Sequence, residues 1–121
     1  MKIAVIGGGP AGLYFADLMK RSDPAHEIRV YEQNPKGATW GFGVVFSDRA
    51  LEFLRADDDD MYQYLMPHME SWPDLTIVHR DTPVAIDGNG FASIGRLRLL
   101  NLLQDRVEAR GVTIEYETQI T

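Results

Sequence analysis

Residues 7–12 read Gly-Gly-Gly-Pro-Ala-Gly and satisfy the pattern G-x-G-x-x-G. The chemistry open to such a turn is the cradling of a pyrophosphate. Gly7 permits a tight exit from a strand, Gly9 presents no side chain to block the phosphates, and Gly12 lets the following helix pack closely on that strand. Pro10 and Ala11 open the helix. Its N-terminus offers unpaired N–H groups and a positive partial charge to an anion, and the N–H that Pro10 lacks would have had no partner there. Glu32 lies 20 positions beyond Gly12. A carboxylate at that place accepts hydrogen bonds from both hydroxyls of a ribose, each charged acceptor contributing roughly 1.5–3 kcal/mol. It also repels a 2′-phosphate, which disfavours NADP here while leaving NAD and FAD open.

Two further groups could touch a ligand. In Trp40-Gly41-Phe42-Gly43-Val44-Val45-Phe46-Ser47, Gly41 and Gly43 allow the backbone to approach a flat ligand. Arg96 stands at the start of a leucine-rich helical segment, where a cation is poorly placed against the helix dipole. A ligand partner would account for it. Asp57 to Asp60 is an acidic run without metal-ligand spacing and reads as a solvated loop. His26, His68 and His79 are scattered. The Met- and Tyr-rich stretch from Met61 to Trp72 reads as core.

The elements that must position these residues follow from periodicity. Lys2 to Ile6 is a short apolar run bounded by glycine and reads as a buried parallel strand. Leu13 to Arg21 is a helix, ended by Pro24 and its polar neighbours. Glu27 to Glu32 is a second strand, completing a βαβ unit whose crossover should be right-handed. Gln33 to Ser47 reads as a loop. Ser47-Asp48 caps a helix running through Leu54. Leu75 to Arg80 and Pro83 to Asp87 form a small β-hairpin excursion turning at Asp81-Thr82, with another turn at Gly88-Asn89-Gly90. Gly95 to Arg110 is a helix with Leu99, Leu102, Leu103 and Val107 on one face. Gly111 ends it, and Val112 to Ile120 is a third sheet strand. The fold class is α/β, a Rossmann-like parallel sheet that is incomplete: three sheet strands are too few for an open sheet flanked on both sides. Residues 1–121 therefore read as the N-terminal part of one nucleotide-binding domain, a fragment of a longer chain.

The chain has 121 residues, 45% of them apolar, and a formal net charge of −6. That balance argues against nucleic acid as a partner. No apolar run approaches the roughly 18–20 residues of a membrane span. Cysteine is absent, which excludes disulfides and thiolate chemistry and fits a cytoplasmic setting. The composition is silent on oligomeric state.

Taken together, Gly7 to Gly12, Glu32, the segment Trp40 to Asp48 and Gly95-Arg96-x-x-Leu-Leu resemble the single-component FAD-dependent aromatic hydroxylases. Within them the resemblance is greatest to the salicylyl-CoA 5-hydroxylase and anthraniloyl-CoA monooxygenase group. It implies an FAD-binding domain with FAD as cofactor, NAD(P)H as electron donor and a small aromatic substrate. It also implies that Gly7, Gly9 and Gly12 meet the pyrophosphate, Glu32 the adenosine ribose, and Arg96 the FAD. Many relatives carry Arg or Lys where this chain has Gln33. The residues alone leave open another FAD oxidoreductase, a flavin halogenase, or a non-catalytic NAD- or FAD-binding module.

Overall fold

A computed structural model describes residues 1–121. In chain order the elements are β1 (Lys2–Ile6), α1 (Pro10–Ser22), β2 (Glu27–Tyr31), β3 (Gly43–Ser47), α2 (Asp48–Asp57), α3 (Asp59–Leu65), a 3₁₀ turn (Met66–His68), β4 (Glu70–Trp72), β5 (Leu75–His79), β6 (Thr82–Ile86), β7 (Phe91–Gly95), α4 (Arg96–Ala109) and β8 (Thr113–Glu115). They divide into two compact units. One is Met1–Gly41 with Arg96–Thr121, and the other is Phe42–Gly95.

The first unit is α/β. Its sheet has the order β1-β2-β8, all parallel, with Val5 opposite Val30 and Val30 opposite Ile114. Side chains alternate across the sheet. Val5, Ile28 and Val30 are buried while Ala4, Ile6 and Arg29 on the opposite face are exposed. The buried face meets Leu13 and Ala16 of α1 and Leu99, Leu103 and Val107 of α4, the apolar stripes of two amphipathic helices. Helix α1 begins at Pro10, one turn earlier than the apolar pattern places it, because Gly9 serves as its N-cap. Helix α4 ends at Gly111 with φ +90°, where glycine adopts the left-handed turn without penalty. Strand β8 is shorter than the Val112–Ile120 expectation. The chain leaves the sheet after Glu115, and Glu117 takes a positive φ of 52°.

Asp17 is wholly buried in this unit and is held by three guanidinium groups. Arg21 lies at 3.0 Å, Arg110 at 2.8 Å and Arg106 at 3.3 Å. The last two belong to α4 or its end, so this buried charge fastens α1 to α4.

The second unit is built from antiparallel strands. β3 and β4 flank β7, and β5 pairs with β6 as a separate hairpin. The sequence pattern from Gln33 to Ser47 reads as loop, but its last five residues form β3. Ser47 caps α2 as expected, its hydroxyl accepting from the Ala50 amide at 3.2 Å. The acidic run is helical and not a loop. Asp58 caps α3 through the Met61 amide at 3.2 Å, and Asp59 faces Arg55 at 3.8 Å. Leu51, Met61, Leu65, Ala92 and Ile94 make the core, and Trp72 stacks on Phe91 with ring centroids 6.0 Å apart. The hairpin turns at Arg80 and Asp81, both left-handed (φ 48° and 63°), which is the primed turn that matches strand twist.

Candidate functional site

The candidate site lies in the α/β unit, where β1 ends. Gly7 leaves the strand at φ +104°, a region that L side chains rarely adopt, and its amide donates to the Tyr31 carbonyl at 2.8 Å. The turn is thereby tied to β2 before α1 begins. The three glycines differ in what surrounds them. A Cβ on Gly12 would collide with the Gly7 carbonyl oxygen and lie 3.2 Å from Val5 Cγ1. A Cβ on Gly9 would meet nothing within 4 Å. Gly12 is thus required by the fold, whereas Gly9 faces open space. Gly9 also offers no side chain to cap α1, so the first-turn amides next to Ala11 and Gly12 are left without a capping acceptor.

Glu32 follows β2 and turns back toward this loop. Its Oε2 accepts the Gly8 amide at 2.7 Å. Its Oε1 accepts the Asn34 amide at 2.9 Å and the Asn34 side-chain Nδ2 at 3.0 Å. Its backbone is fixed as well, the amide donating to the Glu115 carbonyl and the carbonyl accepting from the Thr118 amide, both at 2.9 Å. Sequence reasoning placed Glu32 at the site but passed over Gly8 and Asn34. A Cβ on Gly8 would come within 3.0 Å of the Glu32 Cβ and Oε2, so the bare Gly8 is what admits the carboxylate. The only signal for Asn34 is its type, since short amides favour local hydrogen bonds at strand ends.

A cavity of about 240 Å³ opens beside these groups, lined by Ile6, Gly7, Tyr31, Glu32, Gln33 and residues 118–120. Ile6 is 62% exposed into this region, a large apolar surface at the mouth of a polar turn.

Arg96 is the first residue of α4, and its side chain makes no hydrogen bond or ion pair. It lies along Gly41, whose φ is +97°. A Cβ there would stand 3.5 Å from the Arg96 Nη1. The structure thus brings Gly41 and Arg96 together. Gly43 belongs to the second unit and has a local reason for lacking a side chain, since a Cβ would sit 3.1 Å from the Ile94 carbonyl oxygen across the β3–β7 pair.

The Tyr116 hydroxyl, sealed from water beyond β8, has no well-formed hydrogen-bond partner. Burial first, and then the neighbouring Glu108 carboxylate, push its pKa up to about 12.

With this geometry in view, the relatives are informative. The chain is 41% identical over 120 residues to a salicyloyl-CoA 5-hydroxylase from Streptomyces, covering 99% of this chain and 23% of that protein. Over nearly all its length it is similar to proteins named hydroxylases and monooxygenases. It is 34% identical over 116 residues to a 3-hydroxy-4-methyl-anthranilyl-[aryl-carrier protein] 5-monooxygenase from Streptosporangium sibiricum, covering 96% of this chain and 33% of the relative. It is 31% identical over 128 residues to a protodeoxyviolaceinate monooxygenase from Chromobacterium violaceum, covering 99% and 32%. The chain therefore spans about a quarter to a third of the length of these relatives. No protein-family profile matches it. In fold it is similar to 2-methyl-3-hydroxypyridine-5-carboxylic acid oxygenase (TM-score 0.80, 21% identity, 98% of this chain and 32% of that one). It is also similar to PqsL of P. aeruginosa in complex with 2-aminobenzoylacetate (TM-score 0.81, 15% identity, 100% and 34%). No helix is long and apolar enough to cross a membrane.

Proposed function

We propose that this chain is the Rossmann-like FAD-binding part of an NAD(P)H-dependent flavoprotein monooxygenase that hydroxylates an aromatic ring. The substrate class is an aromatic acyl-CoA thioester, and the enzyme works in the cytoplasm. The observation that carries this reading is the 41% identity to a salicyloyl-CoA 5-hydroxylase across 120 residues, a span that includes the glycine turn, Glu32 and Arg96.

The residues suit FAD. Gly9 leaves room for a pyrophosphate against the N-terminus of α1, where uncapped amides and the helix dipole favour anionic oxygens. Glu32, whose Oε2 accepts the Gly8 amide of the loop, would accept from a ribose hydroxyl. The adjoining cavity is smaller than the roughly 300–1,000 Å³ of a full ligand pocket and suits one end of a dinucleotide. Pro10, Ala11 and Gly12 would line the phosphates from the helix. Gly41 would give close backbone approach and Arg96 a cation for the cofactor.

When bound, the flavin supplies two-electron transfer from NAD(P)H and the activation of dioxygen. One oxygen atom enters the ring as a hydroxyl, and the other leaves as water with the two electrons of NAD(P)H. What this chain's residues contribute is binding and orientation. An ortho hydroxyl or amino group enriches the ring for electrophilic attack, and a CoA handle adds binding energy remote from the reacting carbon.

The test is NAD(P)H and oxygen consumption by the full-length protein with a panel of aromatic acids and their CoA thioesters, with products identified by mass. A thioester that gains one oxygen is the expected result. Turnover of free acids only would remove the CoA assignment, and no flavin in the purified protein would remove the whole reading.

A further inference from the structure

We infer that Asn34 is the positioning residue of the ribose site, and that Glu32 serves a single ribose hydroxyl through Oε2. This rests on the FAD reading above and concerns how Glu32 is prepared for it. A carboxylate has about four lone-pair positions. In Glu32 three are already taken: Oε1 by the backbone amide and the side-chain Nδ2 of Asn34, and Oε2 by the Gly8 amide. One position on Oε2 remains. The expectation of a carboxylate accepting from both ribose hydroxyls therefore does not survive the count of donors. The second hydroxyl must find its partner elsewhere.

The arrangement is built for rigidity. Oε2 cannot swing away without losing the Gly8 amide, and Oε1 cannot turn without losing two donors at once. The Nδ2 contact is the only one of the three made by a side chain, so it is the one that substitution can remove cleanly. Asn34 also accepts the Glu117 amide through its backbone carbonyl at 3.2 Å. That bond and the Asn34 amide's bond to Glu32 both survive a change of side chain, so the local backbone stays fastened in the variants.

The experiment uses the full-length protein stripped of flavin, titrated with FAD and with FAD analogues lacking the 2′- or the 3′-hydroxyl of the adenosine ribose. Binding is read from flavin fluorescence. In the wild type, loss of one of the two hydroxyls should weaken binding roughly tenfold through Glu32. Asn34→Ala should weaken FAD itself about five- to tenfold. It should also shrink the difference between the two deoxy penalties to about twofold or less, because the Oε1 position vacated by Nδ2 becomes open to the second hydroxyl. Asn34→Asp, which keeps the size and the backbone amide but replaces the Nδ2 donor, should give the same loss of discrimination. A merely structural Asn34 would lower the affinity of FAD and both analogues by one common factor, and that result would overturn the inference. So would equal penalties for the two deoxy analogues that both vanish in Glu32→Gln. If Glu32→Gln weakens FAD while Asn34→Ala does not, the positioning role alone fails. If neither variant affects FAD, the ribose reading of Glu32 fails with it.

Discussion

The Gly8 amide donates to Glu32 Oε2 at 2.7 Å, and through this bond the turn after β1 and the end of β2 become one hydrogen-bonded piece. The Gly7 amide, bonded to the Tyr31 carbonyl at 2.8 Å, makes the same connection one residue earlier. The open space at Gly9 and the Glu32 carboxylate are therefore held in register by the backbone. Preorganisation of this kind lowers the ordering cost of binding.

The glycines of the turn should separate by experiment into one required for folding and one required for binding. Gly12→Ala gains about 1 kcal/mol of helix propensity. Its Cβ is driven into the Gly7 carbonyl, a backbone group that cannot move aside cheaply. Overpacking of this sort costs typically 1–3 kcal/mol or more, so urea unfolding of the flavin-free protein should show a net loss. Gly9→Val has free space around its Cβ and an extended backbone (φ −76°, ψ 178°) that valine accepts. It should leave the unfolding midpoint within about 0.5 kcal/mol of wild type while abolishing retention of FAD. A Gly9→Val protein that purifies with a full complement of flavin would place the pyrophosphate elsewhere.

Arg96 should behave in the opposite way to a structural arginine. Its side chain has no hydrogen bond or ion pair to lose, so Arg96→Ala should change stability by no more than about 0.5 kcal/mol. A guanidinium bonded to the cofactor contributes about 1.5–3 kcal/mol, and the FAD dissociation constant should rise accordingly. An unchanged constant would leave Arg96 a solvated cation at a helix start.

Asp17 should be among the most sensitive positions in the α/β unit. Removing its carboxylate leaves Arg21, Arg106 and Arg110 gathered without their common anion, and Arg106 has only 9% of its side chain exposed. Breaking a buried ion pair from one side costs about 3–5 kcal/mol. Asp17→Ala should therefore lower the urea midpoint with an unchanged denaturant slope. Partial rescue by Asp17→Glu would show that charge and not shape is what is missing.

How far this was legible in the sequence depended on the range of the interactions. The β1–turn–α1–β2 unit was plain because each part is local: an apolar run, glycines at fixed offsets, a helix stripe and a carboxylate at the strand end. Ser47 and Gly111 were legible as helix boundaries for the same reason. Strands β4 and β7 were not seen. β4 has three residues, and β7 is recognisable only beside β3, whose Gly43 pairs with Gly95 far along the chain. The Asp57–Asp60 run looked like solvated loop because capping of α3 by Asp58 depends on which residues follow it in space. Asp17 gave no signal, since a lone acidic residue in a helix ordinarily faces water, and its partner Arg106 is 89 positions away. Asn34 was hidden in the same manner. Its type was visible, but its bond to Glu32 exists only once the strand end curls back.

Tyr116 gives a prediction that pH can test. Its pKa is raised from 10.0 to about 12, chiefly by burial and then by the Glu108 carboxylate, with Asp105 and Glu32 adding to it. The folded protein therefore holds this phenolic proton more tightly than the unfolded chain does. The stabilisation is fully present below pH 10 and is lost as pH rises from about 10 toward 12. Because the residue is only partly buried, the loss in stability will be small compared with that of a wholly buried group, and the sharper readout is spectroscopic. Tyrosinate absorbance followed upward in pH should contain a late-titrating component from one of the five tyrosines, absent in Tyr116→Phe. Glu108→Gln should move that component to lower pH without abolishing it, since burial remains the larger cause. If Tyr116→Phe removes an early-titrating tyrosine instead, the hydroxyl is open to water and the 115–118 segment does not pack on α4 as it does here.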